Sequence, residues 1–102
     1  MAKEQIGIKE REQVKTAEPR NYEVIMHNDD VTTMDFVVDV LQKVFFKKTS
    51  EAEALMLTIH QTGLAVVGVY SYDIALSKIE RATDMARRAH FPLRLTCQPA
   101  EQ

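Results

Sequence analysis

The residues best suited to chemistry gather in one short joint. In the stretch VIMHNDDVTTMDFVVDVLQKVFF, Asn28, Asp29, Asp30, Thr32 and Thr33 follow His27 and precede a long apolar pattern. Side chains of this kind cap helices and close turns, because their oxygens accept bonds from nearby backbone N–H groups. They also suit a cation. Thr32 and Asp35 already have the spacing of a capping box, so Asn28 and Asp29 are not needed to start the helix. Adjacent carboxylates repel each other unless a cation or a helix N-terminus offsets them. His60, the next histidine along the chain, would complete an acceptor set, or stand as a structural residue beside Ile59.

Two catalytic readings use the same residues. A metal site could draw on His27, Asp29, Asp30 and His60, but no His-x3-His or Cys-x2-Cys spacing supports it, and neighbouring strand residues face opposite ways. An acid–base pair of Asp29 and His60 would need a nucleophile or second cluster that the chain does not offer. The three glycines, Gly7, Gly63 and Gly68, form no phosphate-cradling loop. On the residues alone, a turn, a cation site and a small metal-assisted hydrolase using Asp29, Asp30 and His60 all stand.

The elements that must hold this joint are legible from periodicity. Tyr22, Val24 and Met26 alternate with polar or outward residues, predicting a strand over about 22–27. Apolar residues at 36, 37, 40, 41, 44 and 45 predict a helix over about 33–46. A second capping box, Ser50 to Glu53, opens another helix, with Ala52, Leu55, Met56 and Ile59 inward and Gly63 ending it. LAVVGVY reads as a buried strand. Ser71 caps a third helix, striped by Ala75, Ile79, Ala82, Ala86 and Ala89, and LRLTC after Pro92 alternates as a last strand. The fold class is α/β (α+β): a β-α-α-β-α-β sandwich, with a three-stranded antiparallel or mixed sheet packed on three helices. The third helix serves as a crossover. The first 19 residues, rich in Lys and Glu and closed by Pro19, read as a flexible extension to a core domain over 20–102.

Composition narrows the function classes. A net charge of −2 gives no case for nucleic acid. No apolar run approaches the ~18 residues of a membrane span. One cysteine, Cys97, gives neither a disulfide framework nor a thiolate cluster. The expected setting is the cytoplasm.

Three blocks, YEVIMHNDDVTTMDFVVDVL, EALMLTIHQTGLAVVGVYSYDIALSKI and FPLRLTC, resemble the ClpS family of Clp protease adaptors, over about Tyr22 to Cys97. The core pattern is N-D-D-x-T-x-M, then M-x-x-x-H-x-x-G and G-V-[YF]. The resemblance implies a non-enzymatic adaptor, without cofactor or metal. It would bind proteins with N-terminal Leu, Phe, Tyr or Trp and deliver them to a hexameric AAA+ Clp unfoldase. It implies that Asn28, Asp29 and His60 engage the substrate's α-amino group. Thr32, Met34, Val37, Met56, Ile59 and Leu93 would surround its first side chain, and Asp73 and Lys78 would dock on the unfoldase. Two positions depart from the commonest form: Thr33 stands where many members carry Pro, and Val31 where an aromatic is frequent. Neither removes an acceptor.

The chemistry of an α-ammonium fits such a set. It carries one charge and three N–H donors, so it requires acceptors converging from several directions. The N-terminal extension has none of these residues, yet extended it reaches ~60 Å, enough to enter a partner's pore. The resemblance implies that use, with the unfoldase pulling on the extension to drive transfer, so a chain starting at Pro19 is expected to bind a Leu-initiated peptide normally but to fail in promoting its degradation. Equal degradation rates for the full and shortened chains, at equal affinity, would show the extension to be passive.

Overall fold

The computed structural model describes residues 21–100, so the expectations for residues 1–19 lie outside the described residues. Six elements follow in the predicted order: β1 (Tyr22–His27), α1 (Met34–Lys43), α2 (Thr49–Thr62), β2 (Leu64–Tyr70), α3 (Tyr72–Arg88) and β3 (Arg94–Pro99). The sheet order is β2-β1-β3, and both neighbours run antiparallel to β1. The sheet is thus antiparallel throughout. β2 and β3 run parallel to each other on opposite edges, and α3 carries the chain from one edge to the other. α+β is the resulting class.

The core forms where the helices meet one face of the sheet. Val24 and Met26 of β1, Val40 and Leu41 of α1, Ile59 of α2 and Ala82 of α3 are all buried in one cluster. Small alanines on α3 let its backbone approach the sheet. Each large aliphatic side chain removed from water contributes roughly 1.5–3 kcal/mol.

Local structure departs from the sequence expectations at five places, four of them at helix ends. The N-cap of α1 is Thr33, whose hydroxyl accepts from Phe36 N–H, and not Thr32. The hydroxyl of Thr32 is drawn to Asp29 instead. α1 also ends sooner than residue 46, because Phe46 turns the chain with a φ of 55°. Ser50 lies inside the first turn of α2, where Lys48 occupies the cap position without a side-chain bond, so the Ser50–Glu53 box does not open the helix. Ser71 occupies the cap of α3, but its side chain makes no capping bond.

The largest difference is in β2, expected to be buried. It is an edge strand in which only Val67 is buried, while Leu64, Val66 and Val69 are 48, 41 and 50 % exposed. A continuous apolar run says that a strand exists without saying whether both of its faces are covered. The register against β1 shifts between Val24 and Ile25, which pair with Gly68 and Val66. Val67 is the extra residue of this bulge and turns into the core.

Gly68 is required by its neighbour and not by a special dihedral. A methyl built on it would collide with the Tyr70 ring, which packs 6.4 Å from Phe45. Gly68→Ala is expected to destabilise the fold by about 1–3 kcal/mol through overpacking, outweighing the gain from a stiffer unfolded chain. Urea unfolding measures this, and an unchanged or higher midpoint would show that Tyr70 moves aside freely.

Candidate functional site

A backbone bond builds the site. Asn28 N–H, just past β1, donates to the Gly63 carbonyl at 2.9 Å. Gly63 ends α2 in the left-handed conformation, φ 101°, that a Cβ would oppose. His60 is in the last turn of that helix. The bond therefore brings the Asn28–Thr33 joint and His60 to the same place, although they are far apart in sequence.

Within the joint Asp29 organises the backbone. Its Oδ1 accepts from Val31 N–H at 2.8 Å and Thr32 N–H at 2.7 Å, and its Oδ2 accepts from the Thr32 hydroxyl at 2.8 Å. Burial would push the Asp29 carboxyl up, but the bonds from the Thr32 N–H and hydroxyl and the Val31 N–H outweigh it and hold the pKa below its ordinary value. The turn-forming reading of this residue is therefore correct as far as it goes. A carboxylate offers about four acceptor positions, and three are used, leaving one on Oδ2. Asp29 can close the turn and still receive a donor.

Asn28, Asp29, Asp30, Thr32, Met34, Met56 and His60 together line a recess of about 230 Å³. Amide, carboxylate and imidazole groups supply its polar side, and two methionine thioethers its adaptable apolar side. Met34 is 42 % exposed and Met56 half-buried. Val37, Ile59 and Leu93 do not line the recess; they are buried in the core cluster against which Met56 packs.

His27 is directed elsewhere. Its Nε2 lies 2.9 Å from the Thr96 hydroxyl and its Nδ1 3.5 Å from Arg94 Nη2. Burial, and then the Arg94 charge, lower its pKa and favour the neutral ring. Among the described residues no three His, Cys, Asp or Glu side chains are grouped to hold a metal ion. The sequence-based four-residue set of His27, Asp29, Asp30 and His60 does not assemble.

Asp73 and Lys78 sit on α3, away from the recess. Asp73 is exposed in the first turn. Lys78 Nζ donates to the Val44 carbonyl at 2.8 Å and lies 4.3 Å from the centre of the Phe46 ring. Burial, with a smaller contribution from Arg81, lowers its pKa. Periodicity alone gave no sign of this clamp on the end of α1, since its partners are 34 residues apart.

The family profile described as "ATP-dependent Clp protease adaptor protein ClpS" matches residues 17–96. The chain belongs to the ClpS family. It is 48 % identical over 85 residues to the adapter protein ClpS of Desulfatibacillum aliphaticivorans, covering 83 % of this chain and 82 % of that one. It is 51 % identical over 80 residues to that of Syntrophus aciditrophicus, covering 78 % and 75 %. A structure of Agrobacterium tumefaciens ClpS2 bound to L-phenylalaninamide superposes with a TM-score of 0.77 at 41 % identity, covering 81 % of this chain and all (100 %) of that one. This is a Clp protease adaptor and not an enzyme, which removes the hydrolase reading. Among the described residues no helix is long and apolar enough to cross a membrane.

The lowered Asp29 pKa makes one contribution to stability dependent on pH. Its folded value lies below the unfolded one, so its contribution to stability is full above the unfolded pKa and is lost as pH falls through the folded pKa. Unfolding free energy is expected to drop below about pH 4, and less steeply in Asp29→Asn than in the parent. Parallel pH profiles for the two proteins would remove Asp29 as the source.

Proposed function

We propose that this adaptor binds proteins through a free N-terminal Leu, Phe, Tyr or Trp and delivers them, in the cytoplasm, to a hexameric AAA+ Clp unfoldase. The observation that carries the reading is the convergence of Asn28, Asp29 and His60 on one recess bordered by Met34 and Met56. An α-ammonium would donate to the Asn28 amide oxygen, the remaining Oδ2 position of Asp29 and an unprotonated imidazole nitrogen of His60. L-phenylalaninamide, the ligand in the ClpS2 structure, is the amide of an aromatic amino acid and so carries a free α-amino group beside an aromatic side chain.

The first side chain would enter between Met34, Met56 and Thr32, with Val37, Ile59 and Leu93 as the buried wall reached when the methionines turn aside. Methionine suits this role, since its unbranched thioether repacks around a flat ring or a branched Leu. Burial of such a side chain contributes about 1.5–3 kcal/mol and each charge-assisted bond a similar amount. Losses on association bring this to micromolar affinity. On the unfoldase side, Asp73 and Lys78 remain the proposed docking pair. Asp73 is free to reach a partner, while Lys78 would act partly by holding the end of α1 beneath it.

Calorimetric titration of Leu- and Phe-initiated peptides against their N-acetylated forms tests the reading. Acetylation removes the charge and two donors and is expected to abolish measurable binding. His60→Ala is expected to weaken the free peptides by roughly ten- to a hundredfold, the loss of one charge-assisted bond. Acetylated and free peptides binding alike would sink the proposal.

A further inference from the structure

Sulfur lines the recess, and part of it is open to water. Met34, the first residue of α1, and Met56, on α2, form its apolar side. Side chains on a helix lean toward its N-terminal end, which carries the Met34 thioether back over the Asn28–Thr33 joint. Met34 is 42 % exposed, the most open methionine among the described residues. Met56 and Met85 are half-buried, and Met26 is fully buried in the core. Met85 lies on α3 and lines no part of the recess. Cys97 is half-buried on β3 opposite Val24 and also lies off the recess. The sulfur that meets solvent first is thus the one at the mouth of the site.

We propose, resting on the reading of the recess given above, that Met34 is a modification site at which peroxide oxidation closes the adaptor to its substrates and reduction reopens it. The thioether sulfur attacks one oxygen of hydrogen peroxide. An S–O bond forms and the O–O bond breaks, sulfur is oxidised by two electrons to the sulfoxide, and the other oxygen leaves as water with both protons. A reductase carrying a dithiol runs the return step, in which the oxygen leaves as water and the dithiol becomes a disulfide. A thioether has no proton to lose, so access to the sulfur governs the reaction. The effect follows from position. A sulfoxide is polar and stays hydrated, and the first side chain of a substrate must strip that water to pass between residue 34 and Met56. The unmodified thioether makes no such demand and repacks around its guest. Oxidation of Met85 leaves the recess as it is. A bound substrate covers Met34 and so protects it.

The test treats the whole protein with hydrogen peroxide, stops the reaction with catalase, and titrates a Phe-initiated fluorescent peptide free of Met, Cys and Trp by anisotropy. Peptide mapping by mass spectrometry is expected to place the first added oxygen on Met34. Affinity is expected to fall by about tenfold or more as Met34 is converted. It is expected to stay low in dithiothreitol, which reverses disulfides and sulfenic acids, and to return with the two methionine sulfoxide reductases, one for each sulfoxide epimer. A saturating Phe-initiated peptide present during treatment is expected to slow the conversion, and its N-acetylated form to leave it unchanged. Met34→Leu, compared with its own untreated sample, is expected to keep its affinity through the same dose, whereas Met85→Leu loses affinity as the parent does. Thermal melts check that the treated protein stays folded. Unfolding on treatment, first conversion at Met85, binding unchanged after Met34 is converted, recovery in dithiothreitol alone, or equal loss in Met34→Leu overturns the inference while leaving the N-terminal recognition standing. Failure of the untreated protein to bind the free peptide overturns the recognition reading and this inference together.

Discussion

The 2.9 Å bond from Asn28 N–H to the Gly63 carbonyl is the tie on which the recess depends. It closes the gap between the end of the central strand and the end of α2, so that residues from two elements share one small volume. Gly63 makes the tie possible by ending the helix in a conformation that other residues resist, which aims the carbonyl at the incoming strand end. The polar side chains above it need only be short and correctly spaced.

Asp29 closes a turn and also lines the recess. Three donors fix the carboxylate and the loop around it. These bonds replace the water that the carboxylate loses, and keep it ionised beside a second acid, Asp30. A pre-fixed acceptor loses little freedom when a ligand arrives, which is one way a small recess can bind usefully. The methionines opposite have the reverse property. Their unbranched thioethers stay adaptable.

The far end of α1 is secured by different means. Val44 and Phe45 are buried, Phe46 is left exposed at a φ of 55°, and Lys78 reaches across from α3 to the Val44 carbonyl. A helix end that would otherwise present unpaired carbonyls thus receives a cation, favourable to both its hydrogen bonding and its dipole. α1 is held at its start by the Asp29 turn and Thr33, and at its end by α3. The helix that borders the recess has little room to shift.

The order of elements, their approximate limits and the core stripes were determined by the sequence itself, because apolar periodicity reports directly which face of a helix or strand is covered. The polar residues Asn28, Asp29 and His60 stood out in the sequence by type, and the fold brings them to one recess. Other features were decided only by the tertiary structure. Thr32 and Thr33 both satisfy the chemistry of a cap, and the choice fell to Thr33 because Asp29 captured its neighbour. LAVVGVY promised a strand, but its place at the edge of the sheet depends on which strand β1 accepts on each side. Lys78 reads as a surface charge until α1 and α3 are packed together. Periodicity is a local signal carried by consecutive residues, whereas these outcomes depend on partners distant in the chain, whose competition for the same donors and surfaces is resolved only when the elements meet.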